Sequence, residues 1–190
     1  TAATPWLDTA LAVTMLLGGQ AAAYRLAEQK AEKPKPPFLL PPAHSDLRRV
    51  YAYLTKTRGI GREAVSAFAK EKLLYESCEK SKDGAKEYRN AIFVGYDENG
   101  IARHAHKRGL YTLGESYKGN VEGSDPAYSF RRMGESGRLY VFEAPIDLLS
   151  YITLYPEAWQ CHSYVALCGV GGQAMMKMLE LNPQLREVSL

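Results

Sequence analysis

Cysteine is scarce in this chain. Its three residues, Cys78, Cys161 and Cys168, are odd in number and lack C-x-x-C spacing, which excludes a disulfide framework and a zinc ribbon and points to a reduced, cytoplasmic setting. Long apolar runs are also missing: the stretch from Ala10 to Leu17 is too short for a bilayer, which takes about 20 residues, and no basic segment precedes it. Neither a signal peptide nor a membrane segment is therefore expected. Charge of one sign is not in large excess. A formal net charge of +3 is compatible with a polyanionic partner but far below that of a nucleic-acid-binding arm. The 190 residues suit one domain or two small ones, at roughly 100–200 residues each.

What is present divides the chain into four stretches. Residues 1–31 favour helix, with Asp8 as N-cap and Gly18-Gly19 as a break. Residues 32–44 hold Pro34, Pro36, Pro37, Pro41 and Pro42, half of the ten prolines, and read as an extended linker. Residues 45–136 begin with Ser45 and Asp46 as caps of a helix whose Leu47, Val50, Tyr51 and Leu54 share one face. Gly59 ends that helix, and a second starts near Arg62 with Val65, Phe68 and Ala69 on one side. The pair reads as a helical hairpin for packing, or as a reader of a DNA groove. Further on, the runs Ala91 to Tyr96 and Ile101 to Arg108, separated by Asp97-Glu98-Asn99-Gly100, predict a β-hairpin. Alternation puts His104, His106 and Arg108 on one face of its second strand, polar and partly cationic, and Arg103 and Lys107 on the other.

Residues 137–190 alternate strand and helix. Leu139 to Phe142 form an apolar strand, Pro145 suits the first turn of a helix reaching Tyr151, and Tyr164 to Cys168 form the next strand. Gly169-Val170-Gly171-Gly172 then leads into a helix from Gln173 to Leu181, and Glu187 to Leu190 begin a third strand. This order predicts parallel pairing with right-handed crossovers.

Glu143 ends the first of these strands and Asp147 follows one turn into the helix. At the carboxyl edge of a parallel sheet such a pair can hold Mg²⁺, or can simply favour the positive end of the helix, with Glu143 as its cap. Gly171 and Gly172 precede a helix where backbone N–H groups can approach phosphate, or serve a tight turn; they match neither common phosphate-loop pattern. Arg103, Lys107, Arg108, Tyr111 and Lys118 could contact a phosphate backbone and stack on bases, or form a solvated strand face. Cys161-His162 and the hairpin histidines find no further ligands for zinc.

The order of these motifs resembles a known family. Val141-Phe142-Glu143-Ala144-Pro145-Ile146-Asp147 resembles the first Toprim motif of bacterial primases, and Val165 to Gln173 resembles the strand, glycine turn and helix that follow it. Tyr53-Leu54-Thr55-Lys56-Thr57-Arg58-Gly59-Ile60 is similar to a helical hairpin near the start of the primase catalytic core. Ile92 to Arg108 resembles that core's β-hairpin, and Gly123 to Phe130 the segment before Toprim. The set is most similar to primase-like Toprim proteins of bacterial plasmids and conjugative elements, with an uncharacterised domain ahead of Toprim and often a zinc finger before that.

The resemblance implies an α+β N-terminal subdomain followed by an α/β Toprim-like parallel-sheet half, truncated at Leu190, where an Asp-x-Asp motif would be expected. Starting at Thr1, the chain reads as an excised piece of a longer protein, inactive alone, with residues 1–31 as the possible end of a lost zinc-finger module. It implies for the parent a metal-dependent nucleotidyl or phosphoryl transfer on DNA with Mg²⁺ or Mn²⁺. Glu143 would be the metal-linked acid or base, Asp147 its support, and Arg103, Lys107, Arg108, Lys118, Gly171 and Gly172 would contact phosphates. Single-stranded DNA and nucleotides are the implied partners, with a relaxase or helicase of the mobile element. The alternatives are a non-catalytic single-strand-binding or scaffold module and a Toprim-type nuclease.

Overall fold

The computed structural model describes residues 36–81, 83–112 and 116–190. The helix expected between Asp8 and Lys30 lies outside them. Pro36–Leu190 form one unit, built on two four-stranded sheets.

Residues 36–44 carry no helix, and this stretch, read from the sequence as a linker, is docked on the first sheet. Ala43 bridges Ser77, and the Tyr75 hydroxyl donates to the Pro41 carbonyl at 2.7 Å. Phe38 packs on Ile92, Val94 and Ala105.

Helix α1 spans Arg48–Ala52, with Leu47 as its N-cap residue. Asp46 was expected to cap this helix, but the one helix amide its carboxylate accepts from is that of Arg48, at 3.0 Å, its other oxygen being taken by the Arg48 guanidinium. The next two amides, Arg49 and Val50, donate to the buried carboxylate of Glu76 at 3.2 and 3.3 Å. An acid remote in sequence thus satisfies the orphan donors of the first turn. After five residues the α-helix widens into a π-helical turn, Tyr53–Thr57, in which the Arg58 N–H reaches the Tyr53 carbonyl at 3.1 Å. Gly59, at φ +70°, ends the element in a conformation that L-residues with a Cβ avoid. Helix α2, Arg62–Lys70, buries Ala64, Val65 and Phe68; Ala69, expected on the buried face, is only half-buried.

The first sheet runs β1 (Leu74–Lys80), β2 (Glu87–Tyr96), β3 (Ala102–Gly109) and β4 (Lys118–Asn120), each antiparallel to the next. The β2–β3 hairpin is the expected one, with Gly100 at φ +74° in its turn. Its polar face is not what alternation implied. Cross-strand partners share a face, and His104, His106 and Arg108 pair with Gly95, Phe93 and Ala91. That face turns into the main core, where Phe93 meets Phe130 edge-on at 5.3 Å. His104 is fully buried with neither ring nitrogen hydrogen-bonded, and burial pushes its pKa down to about 4.

The second sheet has the order β5-β7-β6-β8. Strands β6 (Arg138–Phe142), β7 (Ser163–Ala166) and β8 (Glu187–Ser189) are parallel, as the strand-helix alternation predicts. The short β5, Arg131–Arg132, which the sequence does not reveal, pairs antiparallel with β7. Helix α3 (Pro145–Leu154) packs with Tyr140, Phe142, Tyr164 and Ala166, while α4 (Gln173–Leu181) packs with Leu139, Val141 and Val165. Successive strand residues point to opposite faces, so the two helices cover opposite sides of the sheet. From β6 the chain goes outward to β7 and then back past β6 to β8, so the strand order reverses at β6, which makes the carboxyl end of β6 the topological switch point.

Among the described residues no helix is long and apolar enough to cross a membrane.

Candidate functional site

In a sheet with parallel strands wound on both faces, ligands bind beyond the carboxyl ends of the strands at the switch point. Glu143 stands at that end of β6, and Cys168 to Gly172 form the turn that leaves β7. The two are tied together: the Cys168 N–H donates to the Glu143 carbonyl at 2.9 Å. Glu143 and Asp147 are both exposed. The N-cap residue of α3 is Ala144, and no side chain caps that helix, so Glu143 does not act as the cap that sequence reading allowed. Among the described residues neither carboxylate is in a hydrogen bond or ion pair. Gly172 is the N-cap residue of α4, and Gly169 has open space where a side chain would stand.

The first sheet brings cations to this edge. Asn120, at the end of β4, donates its side-chain amide to the Cys168 carbonyl at 2.9 Å, and its carbonyl oxygen accepts from His106 Nδ1 at 2.8 Å. His106 is thereby fixed as the Nδ1–H tautomer. Two register steps along the ladder, Arg108 pairs with Lys118. The Arg108 Nε donates to the Tyr53 hydroxyl at 3.1 Å, and so does the Arg58 Nε at 3.1 Å. Two guanidinium groups on one hydroxyl oxygen, with no carboxylate paired to either among the described residues, form a place for an anion. The π-turn explains Arg58: its i→i+5 bonding returns residue 58 over residue 53, with the guanidinium 5.7 Å from the Tyr53 ring centroid.

Of the residues singled out in the sequence, Glu143, Asp147, Gly171 and Gly172 gather at the switch point, and Arg108 and Lys118 stand together on the ladder that reaches it through Asn120. Arg103 and Lys107 are not brought to them. They lie on the opposite face of β3, where Arg103 Nε meets Asp97 at 2.7 Å and Lys107 Nζ meets Glu79 at 2.7 Å. Sequence reading missed Arg58, Tyr53, Asn120 and His106 as site residues. The Tyr-Leu-x-x-x-Arg-Gly run contains the first two, but only the π-turn shows that they converge.

A second constellation was not legible at all. His44, Asp46 and Glu76 bring ligand atoms within 4.8 Å of one another, an arrangement compatible with a divalent cation. Those groups already have partners. Glu76 accepts from Arg49, Val50 and Arg89, and a hydrogen bond from Arg48 holds the Asp46 carboxyl down at about 2. The cluster sits against β1, the edge strand opposite the one that carries Asn120. Glu143 and Asp147, by contrast, are hard oxygen donors with no partners among the described residues, the donor type that Mg²⁺ or Mn²⁺ takes.

Comparison with known proteins agrees with this layout. Residues 52–136 match the family described as a protein of unknown function, DUF3991, and residues 140–189 match the family described as Toprim-like. No curated protein matches the chain. Among solved structures, the DnaG catalytic core is similar at 12% identity and a TM-score of 0.46, covering 76% of this chain and 55% of that one. The DnaG primase catalytic domain bound to ssDNA is similar at 14% identity and a TM-score of 0.42, covering 74% and 54%. The chain thus spans about half the length of these structures. Its α+β first part, followed by a parallel sheet with helices on both faces, has the DUF3991-plus-Toprim-like domain architecture.

Proposed function

We propose that the switch-point crevice serves metal-dependent phosphoryl or nucleotidyl transfer on single-stranded DNA, the whole protein being a primase-like enzyme. One observation carries the reading. The Asn120–Cys168 hydrogen bond links the strand pair that carries Arg108 and Lys118 to the turn beside the exposed acids Glu143 and Asp147. Glu143 would hold the metal ion, Mg²⁺ or Mn²⁺, with Asp147 in support. The ion would supply charge neutralisation at the phosphate and an activated oxygen nucleophile. Arg58, Arg108 and Lys118 bind and orient the DNA or nucleotide phosphates, and the exposed turn at Gly171 and Gly172 admits a phosphate close to backbone N–H groups. Arg103 and Lys107, first expected among the phosphate contacts, are offset by Asp97 and Glu79 and stand outside this group.

The resemblance to primase-like proteins of plasmids and conjugative elements supports a mobile-element role in the cytoplasm, with a relaxase or helicase as partner. By the same resemblance a second acidic motif, Asp-x-Asp, would complete the metal site. Primer synthesis on a single-stranded template tests this. Glu143→Gln should abolish product; equal product from wild type and variant would sink the reading.

The non-catalytic alternative, a single-strand-binding module, draws on the same Arg58–Tyr53–Arg108 group. In that case binding falls with salt and is indifferent to both Glu143 and divalent ions.

A further inference from the structure

The described residues contain a cleft of about 830 Å³ between α1 with its π-turn and the open end of the first sheet. Its walls combine two residue types. Tyr88, Tyr111 and Tyr117 line it and are 52%, 67% and 56% exposed. Arg49, Lys56 and Lys86 also line it, are exposed, and make no ion pair among the described residues.

Three large rings left in water around one cleft are costly to solubility and contribute nothing to the core, whereas a single exposed apolar residue needs no explanation. One of the rings is moreover held in place. The Gly109 N–H donates to the Tyr117 carbonyl at 2.8 Å, and the Tyr117 phenol fills the space over Gly119, where a Cβ would stand 3.0 Å from the hydroxyl oxygen. Glycine at 119 thus leaves room for a ring that is seated yet open to solvent. Rings presented beside unpaired cations are the recipe for unpaired bases: each base offers a π-face to an aromatic side chain, and its phosphate meets a lysine or arginine.

We propose that this cleft is a stacking site for unpaired bases of a single strand, separate from the switch-point crevice and joined to it along β3. Tyr53 lines the cleft and its hydroxyl accepts from Arg108, whose ladder leads through His106 and Asn120 to Cys168. A strand stacked on Tyr88, Tyr111 and Tyr117 would run its phosphates past Arg108 and Lys118 towards Glu143. The inference rests on the single-stranded DNA reading of the preceding subsection and adds where the bases are held.

The test is fluorescence anisotropy of a labelled oligo(dT) 20-mer with the full chain, across a salt series. The variants are Tyr88→Ala, Tyr111→Ala and Tyr117→Ala, the matching Phe changes, and Lys86→Ala. Each Ala variant should weaken binding roughly 5- to 100-fold, the loss of one stacked base, with an unchanged salt slope. The Phe variants should stay within about 2-fold of wild type, because they keep the ring. Lys86→Ala should reduce the salt slope by about one. Ala variants that bind like wild type, or Phe variants as weak as Ala, would overturn the cleft while leaving the DNA reading in place. A wild-type chain that binds no oligonucleotide would overturn both. Far-UV circular dichroism and urea midpoints identical to wild type accompany each variant, since these rings are exposed and bear little of the fold.

Discussion

Asn120 donates its side-chain amide to the Cys168 carbonyl at 2.9 Å while accepting from His106 at 2.8 Å. One amide thus fastens the last strand of the antiparallel sheet to the turn that leaves β7 of the Toprim-like sheet. Asn120→Ala should lower stability in urea unfolding by about 1 kcal/mol, the net worth of such a bond. Asn120→Asp should cost more than Ala, because a carboxylate there faces the Cys168 carbonyl oxygen instead of donating to it.

A second point of close approach is Gly95. A Cβ there would stand 1.7 Å from the Tyr128 carbonyl oxygen and 2.8 Å from that of Ser129, and backbone cannot yield as a side chain can. Gly95→Ala should therefore destabilise by more than about 3 kcal/mol or prevent folding. Gly100→Ala, at φ +74° but with nothing within 4 Å, should cost only about 1–2 kcal/mol. Thermal melts of the two variants separate steric overlap from backbone strain.

His104 gives the fold an acid limit. Its pKa falls from 6.5 in the free side chain to about 4 in the fold through burial, so between those values the unfolded chain takes the proton more readily. Stability is complete above pH 6.5 and is lost as pH falls towards 4, by on the order of 3 kcal/mol from this group. Urea midpoints measured from pH 7 to pH 4 should drop, and drop less in His104→Leu, which has no ring to protonate.

The two guanidinium groups on Tyr53 should act as a unit. Arg58→Ala and Arg108→Ala should each weaken oligonucleotide binding and reduce the salt slope by about one, whereas Arg103→Ala, which frees Asp97, should change the slope less. Anisotropy titrations across a salt series read both quantities.

The parallel half was legible in the sequence because its signals are local: apolar strands, Pro145 at a helix start, glycines between strand and helix, and Glu143 at a strand end. The hairpin was legible for the same reason, through Asp97 to Gly100. What escaped depends on distant partners. Strand β1 has mixed composition and is a strand because β2 pairs with it. The first turn of α1 is satisfied by Glu76, 26 and 27 residues away from the amides it serves. Alternation correctly put His104, His106 and Arg108 on one face but could not tell that this face turns inward, because the element covering it, Phe130 and its neighbours, comes later in the chain. Arg103 and Lys107 looked as available as Arg108; only the fold supplies Asp97 and Glu79 to neutralise them.

Two constellations compete for a divalent ion, the Glu143–Asp147 pair at the switch point and His44, Asp46 and Glu76 beside β1. Titrating Mn²⁺ into the isotope-labelled chain and following paramagnetic broadening of amide signals distinguishes them directly. Broadening centred on Glu143, Asp147 and Gly171, and lost in Glu143→Gln, is the expected result. Broadening centred on His44 and Glu76, or unaltered in Glu143→Gln, would contradict the assignment of the switch-point crevice as the metal-dependent centre.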